Sequence, residues 1–103
     1  MAELIWAEKA LGDLEAIYDF IAVDSPIYAR AQIERLLTAA ARLRDFPESG
    51  RTLPEFPALP YRELLVGAYR CIYRYEAPTA TVVVVTVVHG SRLLYSDMMD
   101  DQP

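Results

Sequence analysis

The chain has 103 residues, 53% of them hydrophobic and 24% charged. That is the size and composition of a folded domain rather than of a disordered tail. A net charge of −5 argues against a general nucleic-acid coat. A lone cysteine, Cys71, excludes an internal disulfide, no paired Cys/His spacing points to zinc, and the longest apolar run, 82–88, is far too short to span a bilayer.

The charge is unevenly spread. Residues 1–60 hold ten acids and six bases, whereas 61–95 hold two acids, Glu63 and Glu76, against Arg62, Arg70, Arg74 and Arg92. Nine of the ten basic residues are arginine, whose planar fork suits carboxylate and phosphate. Residues 1–10 carry Glu3, Glu8 and Lys9 and lack the basic-then-apolar layout of a signal peptide.

In chain order, Glu3 to Trp6 reads as a short strand running straight into a helix. Leu11, Leu14, Ile17, Tyr18 and Ile21 place one apolar stripe on residues 7–23. Asp24-Ser25-Pro26 is a break and restart, with Ser25 as N-cap and Pro26 in the first turn. Ala29, Ile33, Leu36, Leu37, Ala40 and Leu43 carry a second stripe that stops before Pro47. So short a link makes an antiparallel helical hairpin. Four prolines between 47 and 60 mark a stiff connecting loop.

Strand patterns follow over 61–66, 69–75 and 81–88, with turns at Gly67 and at 76–80. The last is apolar on both faces and therefore central. The tail, 97–103, reads as frayed. The expected architecture is α+β: β-α-α-β-β-β, a helical hairpin on a small, mainly antiparallel four-stranded sheet, in one domain spanning 1–103. The first strand should lie beside the last. Tyr69, Cys71, Tyr73 and Tyr75 should face the helices. Arg70, Ile72 and Arg74 are then expected on an open, partly apolar face that wants a partner.

These elements resemble the RelE/ParE superfamily of type II toxins. The residues that carry the likeness are Trp6-Ala7, Ala10-x-x-Asp13-Leu14-x-x-Ile17-Tyr18, Pro47-x-x-Gly50-Arg51 and Pro54-Glu55. They continue with Arg62-Glu63-Leu64, Tyr69-Arg70-Cys71-Ile72-Tyr73-Arg74 and Val87-Val88-His89-Gly90-Ser91-Arg92. The resemblance implies a cytoplasmic toxin without a cofactor or metal, neutralised by a small ParD-like antitoxin in a hetero-oligomer. It also implies one of two targets. RelE-like members cut mRNA on the ribosome, and ParE-like members block DNA gyrase.

Metal-free RNA cleavage needs a base, cations on the phosphate and an acid. Glu55, Arg70 (with Arg62 or Arg74) and His89 are the candidates for these roles. The strand ending in His89-Gly90-Ser91-Arg92 is closer to the ParE branch. There Arg62, Arg70, Arg74, His89 and Arg92 bind target or antitoxin, and none is catalytic. The acidic balance suits a protein target better than a polyanion. A third reading is a non-toxic relative that works only in an antitoxin-bound regulatory complex. Beside these stand plainer roles: a hydrogen-bonded structural His89, a solvated or salt-bridged Glu55, and a core Cys71.

Overall fold

The computed structural model describes residues 1–92 and 94–99. Strand β1 (Glu3–Trp6) leads into helices α1 (Glu8–Ala22) and α2 (Pro26–Ala41). Four more strands follow: β2 (Arg51–Thr52), β3 (Arg62–Val66), β4 (Tyr69–Glu76) and β5 (Thr81–His89). The sheet order is β1-β5-β4-β3-β2, with β1 parallel to β5 and the remaining pairs antiparallel. The expected α+β arrangement stands, extended at its edge by the two-residue β2.

Local chemistry accounts for the hairpin. The Ser25 hydroxyl accepts the Tyr28 N–H at 3.1 Å, and Pro26 occupies the first turn of α2, where it has no hydrogen bond to lose. Gly67, at φ +60°, makes the tight β3–β4 turn. Strand β5 is buried along its length except at His89, because β1 and β4 flank it and both faces of the sheet are covered.

One covering layer is the helices. Cys71 and Tyr73 are buried among Leu14, Ile17, Leu36, Val82 and Val84, with Tyr69, Tyr75 and Trp6 packed against them. The tyrosine face therefore meets the hairpin, as expected from the sequence. The other face departs from expectation. A strap, residues 53–61, crosses it, and Leu53, Ile72, Val83, Val85, Val88, Leu94 and Met99 form a second core there, flanked by Phe56, Leu59 and Tyr61. The face carrying Arg70 and Ile72 is thus covered by the chain itself rather than left open. The tail also departs from the frayed reading in part. Ser96–Met99 forms a 3-10 turn, Met99 is buried, and its carbonyl accepts the Tyr61 hydroxyl at 3.2 Å. Residues 100–103 lie outside the described residues.

Gly50 sits where nothing larger fits. Its N–H donates to the Tyr73 hydroxyl at 2.9 Å, and an added Cβ would lie 2.7 Å from both that oxygen and the Glu63 carbonyl. The Gly50-Arg51 pair therefore carries backbone closeness and a charge in adjacent positions.

Candidate functional site

The predicted site residues fall into two groups on opposite faces of the sheet. On the strap face, the Arg70 Nη1 and Nη2 donate to both Glu55 oxygens at 2.6 and 2.8 Å, a bidentate fork. Arg70 Nε donates to Glu63 Oε1 at 2.6 Å, and Glu63 Oε2 accepts Arg51 Nε at 2.6 Å. Arg70 is 6% exposed and Glu63 1%, so the middle of the chain Glu55–Arg70–Glu63–Arg51 is dry, while its two ends reach solvent. The Arg70 hydrogen bonds hold the Glu55 carboxyl below its ordinary range, against the opposing effect of burial. Glu55, ahead of Glu63, in turn holds the Arg70 proton more tightly than usual. An adjoining cleft of about 420 Å³ is lined by Arg51, Glu55, Tyr69 and Arg70. Its two arginines are answered by Glu55 and Glu63, so no surplus positive charge remains to draw a phosphate.

The other two strand arginines also have local partners. Arg62 Nη1 donates to the Gly50 carbonyl at 2.9 Å, and Arg62 Nη2 is 3.7 Å from Glu48. Arg74 pairs with Glu76 at 2.8 Å near the rim, where screening keeps such a pair weak.

On the helix face, the far end of β5 forms a groove with α1. It has a volume of about 370 Å³ and is lined by Asp13, Ile17, Phe20, Val87, His89 and Arg92, among others. His89 is exposed and its ring meets Tyr69 edge-on, centroids 5.5 Å apart at 79°. The Ser91 N–H donates to His89 Nδ1 at 3.1 Å, with the Ser91 hydroxyl 2.7 Å away. That bond makes Nδ1 an acceptor and leaves Nε2 to carry the ring proton in the neutral form. The Arg92 N–H donates to the His89 carbonyl at 3.0 Å, a turn that sets the arginine beside the histidine. Of the five binding residues expected from sequence, the groove unites His89 and Arg92, and it leaves Arg62, Arg70 and Arg74 elsewhere.

The groove also contains residues that had not been assigned a role. Strand β1 covers β5 only as far as Val84. Beyond it, Asp13 from α1 reaches the edge that β1 leaves without a strand partner. Its Oδ2 accepts the Val87 N–H at 3.0 Å and the Thr86 hydroxyl, while Lys9 Nζ donates to Thr86 at 2.7 Å and lies 3.3 Å from Asp13. Asp13 thus stands in for the missing strand partner, a device that blunts an edge. The sequence shows an acid in a helical motif; only the end of β1 shows what it satisfies.

A β-bulge divides the two faces. Ile72 pairs with Thr86 but Tyr73 pairs with Val84, so β5 carries one extra residue there. Val82, Val84 and Val87 join the helix-side core, while Val83, Val85 and Val88 join the strap-side core. Strict alternation would have put His89 on the side of Arg70. The bulge puts His89 with Tyr69 on the helix side, away from Glu55 and Arg70.

With that arrangement in view, comparison with known proteins is decisive for the family. A family model described as the ParE toxin of the type II toxin-antitoxin system parDE matches residues 4–94. The chain belongs to this toxin family. It is 39% identical over 93 residues to Toxin RelE2 of Caulobacter vibrioides, covering 90% of this chain and all of that one. A chain of the chromosomal ParDE system from P. aeruginosa superposes with a TM-score of 0.72 at 21% identity, covering 86% of this chain and 96% of that one. A chain of the RelBE2 toxin-antitoxin complex from Mycobacterium tuberculosis gives 0.59 at 25% identity, covering 85% and 90%. The protein is a type II toxin of the RelE/ParE superfamily, and its two helices on a mostly antiparallel open sheet are that fold.

Within the toxin, Cys71 is core. Burial pushes its thiol up to about 12, so it is protonated and unreactive at neutral pH. Ellman's reagent at pH 8 is expected to leave the native toxin unlabelled and to label it promptly in denaturant. Prompt labelling of the native protein would place Cys71 outside the core.

Proposed function

We propose that this toxin arrests growth in the manner of ParE, by binding DNA gyrase, and that it acts as a binding protein in the cytoplasm rather than as a nuclease. The observation carrying this reading is the separation of the would-be catalytic set. Glu55 on the strap bonds to Arg70 on β4, while His89 opens on the opposite face beside Arg92. A base already held by the phosphate clamp, with the acid across the sheet, favours a binding role over 2′-hydroxyl activation, which needs base and acid on one substrate. The groove fits a protein partner: apolar walls at Ile17, Phe20 and Val87, and a polar rim at His89 and Arg92. A cognate antitoxin of the ParD kind is the expected neutralising partner, since the similar solved chains come from toxin-antitoxin systems.

The test compares two activities of the purified chain. Inhibition of gyrase supercoiling is expected, weakened at least about tenfold in a His89→Ala/Arg92→Ala variant, the loss typical of truncating two interface side chains. Primer extension on a translated mRNA should show no new ends. The name of the Caulobacter relative, Toxin RelE2, favours one competing reading, ribosome-dependent mRNA cleavage. Cuts appearing within codons only during translation, with gyrase unaffected, would establish that reading and overturn ours.

A further inference from the structure

We propose that the edge formed by β3 and α2, separated from the His89 groove by strand β4, is a self-complementary surface that pairs two copies of this chain about a two-fold axis. Strand β2 bonds to β3 only at Glu63 and Arg62. Among the described residues no strand covers Leu64 to Val66 on the outer side. The tight turn after Val66 makes Val66 and Tyr69 a bonded pair, so alternation along β3 turns the Leu65 N–H and C=O outward. Two copies meeting antiparallel at Leu65 would exchange both bonds, which is the symmetric pairing a two-fold axis permits.

The helix beside this edge fits the same axis. Grooves of about 400 and 570 Å³ lie side by side here and share Ala39, Arg42, Leu65 and Val66. Val66 meets Gln32 and Gly67 approaches Arg35, while Leu64 and Leu65 line a groove with Ala39 and Arg42, so α2 runs antiparallel to β3 and Thr38 lies near the level of Leu65. Glu34 and Arg42 stand four residues either side of Thr38, and all three are exposed. An axis through Thr38 therefore sets Glu34 of each copy against Arg42 of the other. Ala31 and Thr38 leave this face of α2 small enough for a close approach. Phe46 and Leu65, each 61% exposed, supply the apolar surface to be covered. The two elements are complementary about one axis, and this charge match specifies a second copy.

The test is sedimentation of the full chain over a wide concentration range, wild type beside Glu34→Arg, Arg42→Glu, the double exchange and Leu65→Arg. All three positions are exposed, and circular dichroism checks that each variant is folded. The wild type is expected to dimerise reversibly. Each single charge reversal should weaken dimerisation at least about tenfold by setting like charges together, and the double exchange should restore it. Leu65→Arg should abolish it. A wild type that stays monomeric throughout overturns the proposal and leaves the face to a different protein, and so does a dimer indifferent to all these changes.

Discussion

Replacing Arg70 with alanine is expected to destabilise the toxin by roughly 3–5 kcal/mol, the usual cost of breaking a buried ion pair from one side. The reason lies with Glu63, which is 1% exposed and shares its two oxygens between Arg70 and the exposed Arg51. Without Arg70 one carboxylate oxygen stays in a dry site with no donor, and Glu55 loses the fork that ties the strap to β4. Equilibrium urea unfolding measures the loss. Glu55→Ala is expected to cost much less, because Glu55 reaches solvent and Arg70 keeps its bond to Glu63. If Arg70 were instead a phosphate-holding residue awaiting RNA, its removal would leave stability nearly unchanged and abolish activity alone. The same latch has a pH signature. Because the folded Glu55 carboxyl sits below its ordinary value, the latch stabilises fully above that ordinary value. The contribution is lost as pH falls through the lower, folded value. Acid unfolding of the wild type should therefore be steeper than that of Glu55→Gln.

Leu53→Ala should cost roughly 2–5 kcal/mol, the range for truncating a fully buried leucine. Leu53 is wholly buried at the head of the strap, against the sheet face that carries Ile72, Val83, Val85 and Val88. Had that face been open, Leu53 would be a loop residue of little consequence, so the size of the loss measures the second core directly. Leu53 and Glu55 hold the same strap through different forces. The double variant Leu53→Ala/Arg70→Ala should accordingly lose less than the sum of the singles, because a strap freed once has little further contact to give up. Strict additivity would show that apolar anchor and ionic latch act independently.

These expectations come from the features that were hardest to read in the sequence. The hairpin was legible because its signals are local: stripes at helical spacing, Ser25 and Pro26 at the restart, and prolines where α2 must stop. The orientation of β4 was legible too, since tyrosines and Cys71 alternate with arginines and the more apolar set seeks the core. The strap was not. Leu53, Phe56 and Leu59 recur every third residue, but each is followed by a proline, so the segment reads as a connecting loop and its spacing does not announce a covering layer. Arg70 bonds to Glu63 on the neighbouring strand and to Glu55 on the strap, and the second of these contacts depends on a loop folding back over the sheet.

His89 marks the boundary most clearly. The sequence alone determined the element order, the tyrosine-lined core, the central position of β5 and the placement of a histidine and an arginine at its end. Local propensity and alternation suffice for these. The tertiary structure decided which face that histidine serves, because a single extra residue in β5 opposite Ile72 and Tyr73 inverts the alternation beyond it. Where β1 ends, where the strap lands and where the bulge falls are set by long-range packing of the whole sheet, and on those contacts the separation of Arg70 from His89 depends.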